Sequence, residues 1–145
     1  MCKVTYEDII ANEEINIYME MGNEALGVIG ITDHSRVHTM KVAEVAASIL
    51  TELGYSKREI ELARIAGYMH DIGNAINRMD HAHSGGIMAF EILRKLEMDP
   101  KDIAIVVSAI GNHDENTGCA INPVSAAIII ADKTDVRRNR VRNND

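Results

Sequence analysis

Apolar residues recur at three- and four-residue spacing along most of the chain, and no segment alternates convincingly with period two. That periodicity, with only two prolines, predicts helices nearly throughout and an all-α bundle of about six helices. Thr5 with Asp8 reads as a capping box, and Asn12 can start a helix reaching about Leu26. A Gly-punctuated connector, 27–33, leads into a long helix over 36–53 that ends at Gly54, the residue type suited to a left-handed C-cap. Val42, Val45, Ile49 and Leu53 predict the stripe that this helix buries, and His38, four residues before Val42, shares it. Ser56 and Glu59 form a second capping box for a helix ending at His70-Asp71. After a loop at 74–78, Asp80 can cap a helix to about Glu97, with His81, Gly85, Met88, Ile92 and Leu96 on one face. Asp99-Pro100 starts a helix that ends near His113, and Asn122-Pro123 starts another whose apolar run closes on Asp132. The last ten residues are polar and basic and offer no convincing final element, so this tail is expected to be mobile or to lead into further chain.

Composition narrows the function classes. A chain of 145 residues, 46% hydrophobic, fits one domain with a real core, divided here into N-terminal helices (1–32), a central region (33–135) and the tail (136–145). The net charge of −7 argues against a protein that coats nucleic acid, and the absence of Trp with a single Phe removes the stacking platforms of a single-strand binder. Two cysteines far apart, Cys2 and Cys119, give neither a thiolate metal site nor a disulfide framework. The longest apolar stretch, 126–131, is far too short to span a membrane, and a cytoplasmic location is the default expectation. The eight methionines read as flexible core filling.

The six histidines all fall between His34 and His113. Helix ends on independent elements carry His38, His70 with Asp71, His81, His113 and Asp132 on their inward sides, and helix ends are where a bundle can converge side chains on one cleft. An adjacent imidazole and carboxylate at the end of a buried helix is costly to desolvate unless a metal or a partner holds it. Imidazole and carboxylate without thiolate suit Mn, Fe, Zn, Co or Ni, and a bridging carboxylate would let six such residues hold two ions. His81 and His83 are two apart and cannot share a helical face, and His81, four before Gly85, is taken as the inward one.

The ordered motifs His38-Thr-Met-Lys-Val-Ala, His70-Asp71-Ile-Gly and the late Asp132 resemble those of the HD-domain metal-dependent phosphohydrolase superfamily. His81-Ala-His-Ser-Gly85 and Gly-Asn-His113-Asp-Glu are similar to the extra signatures of its multi-metal subgroup, which includes the HD-GYP branch. The resemblance spans about 33–135. It implies a helical HD-domain bundle and a ligand set of His38, His70, Asp71, His81, His113 and Asp132, and it favours His38 over His34. It also implies hydrolysis of a phosphomonoester, nucleotide or phosphodiester by a metal-activated water. Asn74 stands where many relatives carry Lys after His-Asp-Ile-Gly, and the Gly-Tyr-Pro signature is absent, so cyclic-di-GMP hydrolysis is not implied. Two other classes stay open: a di-iron oxygenase, which some HD proteins are, and a non-catalytic nucleotide-binding module.

Asp71 is the expected bridge between the ions, since it alone is adjacent to another candidate ligand. His34 and Lys133 are further catalytic candidates, with His83 a second option for the acid. Arg36, Lys133 and Arg137 are expected to bind the substrate phosphate, from a wider set that includes Arg78 and Arg138. Glu115 is expected to be solvated, and Asp114 to be a ligand or to orient an imidazole. The expected partner is a small phosphorylated molecule, and a homo-oligomer is compatible with the composition.

Overall fold

The structure, a computed structural model, describes residues 3–135. Among these residues seven α-helices run in order: α1 (Tyr6–Ile10), α2 (Glu13–Val28), α3 (Arg36–Glu52), α4 (Lys57–Met69), α5 (His81–Lys95), α6 (Pro100–Gly111) and α7 (Pro123–Thr134). A 3₁₀ turn, Ile72–Ala75, stands between α4 and α5. There is no strand among the described residues. The starts follow the local chemistry: Thr5, Ser56 and Asn122 each close a capping box, and Asn12 and Asp99 accept from backbone N–H groups of their first turns. Gly54 takes φ +79 after α3, which suits a residue without Cβ. Arg137 and the rest of 136–145 lie outside the described residues.

α3 and α4 form the central pair, with α7 and α6 packed on them and α5 on α6. Gly67 lets α4 approach α3 closely, since a Cβ there would meet the Ala43 Cα at 2.8 Å. The core joins Val42, Ala43, Ala46 and Leu50 of α3 to Leu62, Ile65 and Met69 of α4, and to Ile110, Ala127 and Ile128 of α6 and α7. Each fully buried Leu or Ile contributes roughly 1.5–3 kcal/mol through removal of apolar surface from water.

The inward face of α3 differs from the sequence expectation. Val42 is buried, but Val45 and Ile49 are only partly so and Leu53 is 68% exposed. The small residues Ala43, Ala46 and Ala47 are buried instead, because the close α3–α4 approach selects small side chains over large ones at the seam. His38 lies on this shifted face all the same, at 0% exposure. α7 runs one turn past the apolar stretch, so Asp132 sits within its last turn and not at its end. No described helix is long and apolar enough to cross a membrane.

Candidate metal centre

The site gathers at the joins of α3, α4, α5, α6 and α7. His38 comes from the first turn of α3, and His70 and Asp71 from the end of α4. His81 is the first residue of α5, His113 follows α6, and Asp132 lies near the end of α7. His38, His70, Asp71, His81 and His113 are all buried. The 3₁₀ turn after Asp71 is pressed against α5. At Gly73 a Cβ would collide with the His81 carbonyl oxygen and lie 2.6 Å from the Gly85 N, so only glycine lets the two segments meet here. Asp80, just before His81, takes φ +57 and makes no side-chain cap.

Each imidazole is oriented from behind. Nδ1 of His70 lies 2.6 Å from the Gly67 carbonyl, that of His81 3.0 Å from the Arg78 carbonyl, and that of His113 2.7 Å from the Ile110 carbonyl. A carbonyl only accepts, so each Nδ1 donates its proton and each Nε2 is left as a lone pair facing inward. His38 is held by a carboxylate instead: its Nδ1 is 2.8 Å from Asp135 Oδ2, and Asp135 is 3% exposed. Sequence reasoning missed Asp135. Its signal was its place three residues after Asp132, nearly one helical turn on, but α7 ends at Thr134 and the backbone turn that aims it is not periodic.

Asp71 stands between two groups of imidazoles that could serve as ligands. Its Oδ2 lies 3.0 Å from His70 Nε2, 3.6 Å from His38 Nε2 and 3.9 Å from His34 Nε2. Its Oδ1 lies 3.6 Å from His81 Nε2 and 3.5 Å from His113 Nε2. Asp132 Oδ1 closes the first group at 3.1 Å from His38 Nε2 and 3.5 Å from His70 Nε2. In the second group the two Nε2 atoms of His81 and His113 face each other at 3.1 Å. With both Nδ1 atoms protonated, this contact sets lone pair against lone pair and calls for a cation between them. Despite the short separations, Nε2 of His38 and His70 and Oδ2 of Asp71 are buried without a hydrogen-bond partner. Metal–ligand bonds of about 2.0–2.2 Å put adjacent ligand atoms roughly 3–3.6 Å apart, and every separation between these inward-facing atoms except that to His34 lies between 3.0 and 3.6 Å. The residues therefore fit a divalent transition metal. His34–His38–Asp71, His38–His70–Asp132 and His70–Asp71–His113 are each close enough to hold an ion.

The electrostatics agree. Burial opposes charge at Asp71 and Asp132, but His70, together with His38 and, for Asp71, His113, outweighs it and holds both carboxyls well below the usual range. Burial lowers His38 and His70, yet the Asp71 and Asp132 carboxylates more than offset this and raise both. His81 goes the other way: burial, with His113 and Arg78 nearby, pushes it down to about 4 against the pull of Asp71. Without a metal, the first ligand group thus attracts protons while His81 stays neutral.

A cavity of about 180 Å³ opens onto this centre, lined among others by His34, Asp71, Arg78, Asp132 and Lys133. His34 Nδ1 is 2.6 Å from the Thr32 carbonyl, so its Nε2 also faces the cavity as an acceptor. Lys133 reaches the rim and pairs with Glu115, which is solvent-exposed as expected. Asp114 lines the cavity, but its Oδ1 accepts from the Asn116 backbone and side-chain amides and shapes the loop. Arg36 does not fit the role expected of it. It does not line the cavity and donates at 3.2 Å to the Ile10 carbonyl at the end of α1, which also accepts from the Asn16 side chain. His83 is exposed on the outer face of α5, beside Ile87 and Phe90 and away from the centre.

Comparison with known proteins places these residues in context. The HD-domain family model matches residues 36–137. An uncharacterized protein of Methanocaldococcus jannaschii is 29% identical across 97% of this chain and 62% of its own length. Ribonuclease Y of Mycoplasma mycoides is 33% identical over 74% of this chain, which corresponds to 23% of that enzyme. Ribonuclease Y of Enterococcus faecalis is 31% identical over 73%, or 19% of its length. The crystal structure of a predicted HD superfamily hydrolase from an uncultured Thermotogales bacterium superposes with a TM-score of 0.60 and 25% identity, over 81% of this chain and 65% of that one. The chain thus spans less than two thirds of each of these relatives.

Proposed function

The chain belongs to the HD-domain family, and on that premise we propose that it is a metal-dependent phosphohydrolase with a dinuclear centre, acting on a phosphomonoester, nucleotide or phosphodiester. The observation that carries this reading is the bridging placement of Asp71, with one oxygen toward His38 and His70 and the other toward His81 and His113. The likeness to a predicted hydrolase and to ribonuclease Y, whose name denotes cleavage of phosphorus esters, supports the choice of reaction.

His38, His70, Asp71 and Asp132 would hold one ion, and Asp71, His81 and His113 the other. Divalent ions there would acidify water and neutralise charge that develops on a phosphoryl oxygen. The chain's own residues do the rest. The carbonyls of Gly67, Arg78 and Ile110 and the Asp135 carboxylate fix four imidazoles in the tautomer that leaves Nε2 inward. His34 presents its Nε2 to the cavity as an acceptor, suited to take a proton from water and to return it to the leaving group. Lys133 stands at the rim, where opening of its pair with Glu115 frees an ammonium for substrate.

Protein loaded with Mn²⁺, its metal content verified, is assayed on generic phosphoesters and then on a nucleotide panel. Turnover that disappears in Asp71→Ala is expected. Absence of hydrolysis across the panel by the fully loaded protein overturns the proposal, and oxygen consumption by an iron-loaded sample would move it to the oxygenase class.

A further inference from the structure

Two described cations line the cavity, and their surroundings differ. Lys133 is paired with Glu115. Arg78 has no carboxylate within ion-pairing distance among the described residues: its Nη1 meets only the neutral Oδ1 of Asn74, at 3.4 Å. The Arg78 backbone is tied down, because its carbonyl accepts from His81 Nδ1, and its side chain is part-buried. Asn74 is 3% exposed and four residues earlier, anchored in the 3₁₀ turn that follows Asp71. A guanidinium held over a polar cavity by an amide keeps its full charge and its planar fork of donors for a ligand. A carboxylate in the place of Asn74 would have cancelled that charge.

We propose that Arg78 is the anion-recognising residue of this centre, binding non-bridging oxygens of a phosphoryl group, and that Asn74 is its positioning residue. This deepens the phosphohydrolase reading and rests on it. The position also makes a link between substrate and metal, since the residue whose side chain grips the anion orients His81 with its carbonyl.

The test is calorimetric binding of inorganic phosphate to Mn²⁺-loaded protein, which needs no turnover. Loss of a charge-assisted contact predicts that Arg78→Ala weakens phosphate binding roughly 10- to 100-fold with metal content unchanged. Arg78→Lys should recover part of it. Asn74→Asp, near-isosteric, should weaken phosphate comparably by neutralising Arg78 while leaving the melting temperature near that of the parent. Arg94→Ala, a cation on the outside of the fold, serves as the control and should change nothing. Equal phosphate affinity in the parent and Arg78→Ala, at equal metal content, overturns the inference without touching the phosphohydrolase reading. No phosphate binding by the parent overturns it as well. The hydrolytic assay fails or succeeds independently of either result.

Discussion

Replacing Asp135 with asparagine removes a negative charge from behind His38 and leaves the volume nearly unchanged. Asp135 is 3% exposed, His38 is 0% exposed, and the 2.8 Å contact joins Oδ2 to Nδ1. A carboxylate there makes the imidazole a stronger ligand and locks its tautomer. An amide supplies only a neutral acceptor, or turns its NH₂ to Nδ1 and drives the proton to Nε2, against Asp71 and Asp132. Loss of such an orienting partner costs about 10- to 100-fold in metal affinity, or about 1.4–2.7 kcal/mol. If the centre holds two ions as proposed, the loss should fall on one of them only, because His81 and His113 are oriented by the carbonyls of Arg78 and Ile110. Titration of stripped Asp135→Asn protein with Mn²⁺ should therefore show one binding event weakened and the other retained. Asp135→Ala leaves the buried Nδ1–H without its acceptor and should also lower the stability of the metal-free fold by about 1–3 kcal/mol. Two binding events within twofold of the parent in Asp135→Asn would refute the reasoning.

Gly73→Ala is expected to unseat α5 from the 3₁₀ turn, since the added methyl strikes backbone, the His81 carbonyl and the Gly85 N, and not a flexible side chain. Overpacking of this kind costs about 1–3 kcal/mol or more, and calorimetric melting with metal analysis should show a lowered transition and depleted metal. The metal-free protein should lose stability in two pH windows. The depressed Asp71 and Asp132 contribute fully above the ordinary carboxylate value near 4 and lose that contribution as pH falls through their folded values. The raised His70 contributes fully below about 6.5 and loses its contribution as pH rises through its folded value. Melting of stripped protein should therefore peak at mildly acidic pH and decline above it, while the increment from added Mn²⁺ grows over the same rise as His38 and His70 shed protons. A metal increment independent of pH would count against ligation by these two imidazoles. His34→Ala is expected to lose turnover without loss of bound metal, because its Nε2 is the most distant of the five imidazoles around Asp71, at 3.9 Å; loss of one ion would make it a ligand instead.

The sequence was most informative where chemistry is local. Capping residues at Thr5, Ser56, Asp99 and Asn122 announced their helices, and the spacing that puts His38 four before Val42 held although the apolar stripe itself lay elsewhere. Leu53 misled because periodicity reports hydrophobicity and not the helix separation that Gly67 and the alanines of α3 set. Arg36 was misplaced because the end of α1 competes for its guanidinium, a contact across 26 residues that no local pattern encodes. Asp135 and the poise of Arg78 were invisible for the same reason: both depend on where a non-helical turn points a side chain. Asp71 meets His70 because the two are adjacent in the sequence, whereas its approach to His81 and His113 depends on how α5 and α6 pack.

Metal content per chain is the measurement closest to the central claim. Protein purified without chelator, or stripped and reloaded, should carry two divalent ions per chain, and Asp71→Ala should carry none tightly. His81→Ala with His113→Ala should leave one, held by His38, His70, Asp71 and Asp132. A parent that never exceeds one ion per chain, or an Asp71→Ala protein that retains two, would contradict the bridged centre.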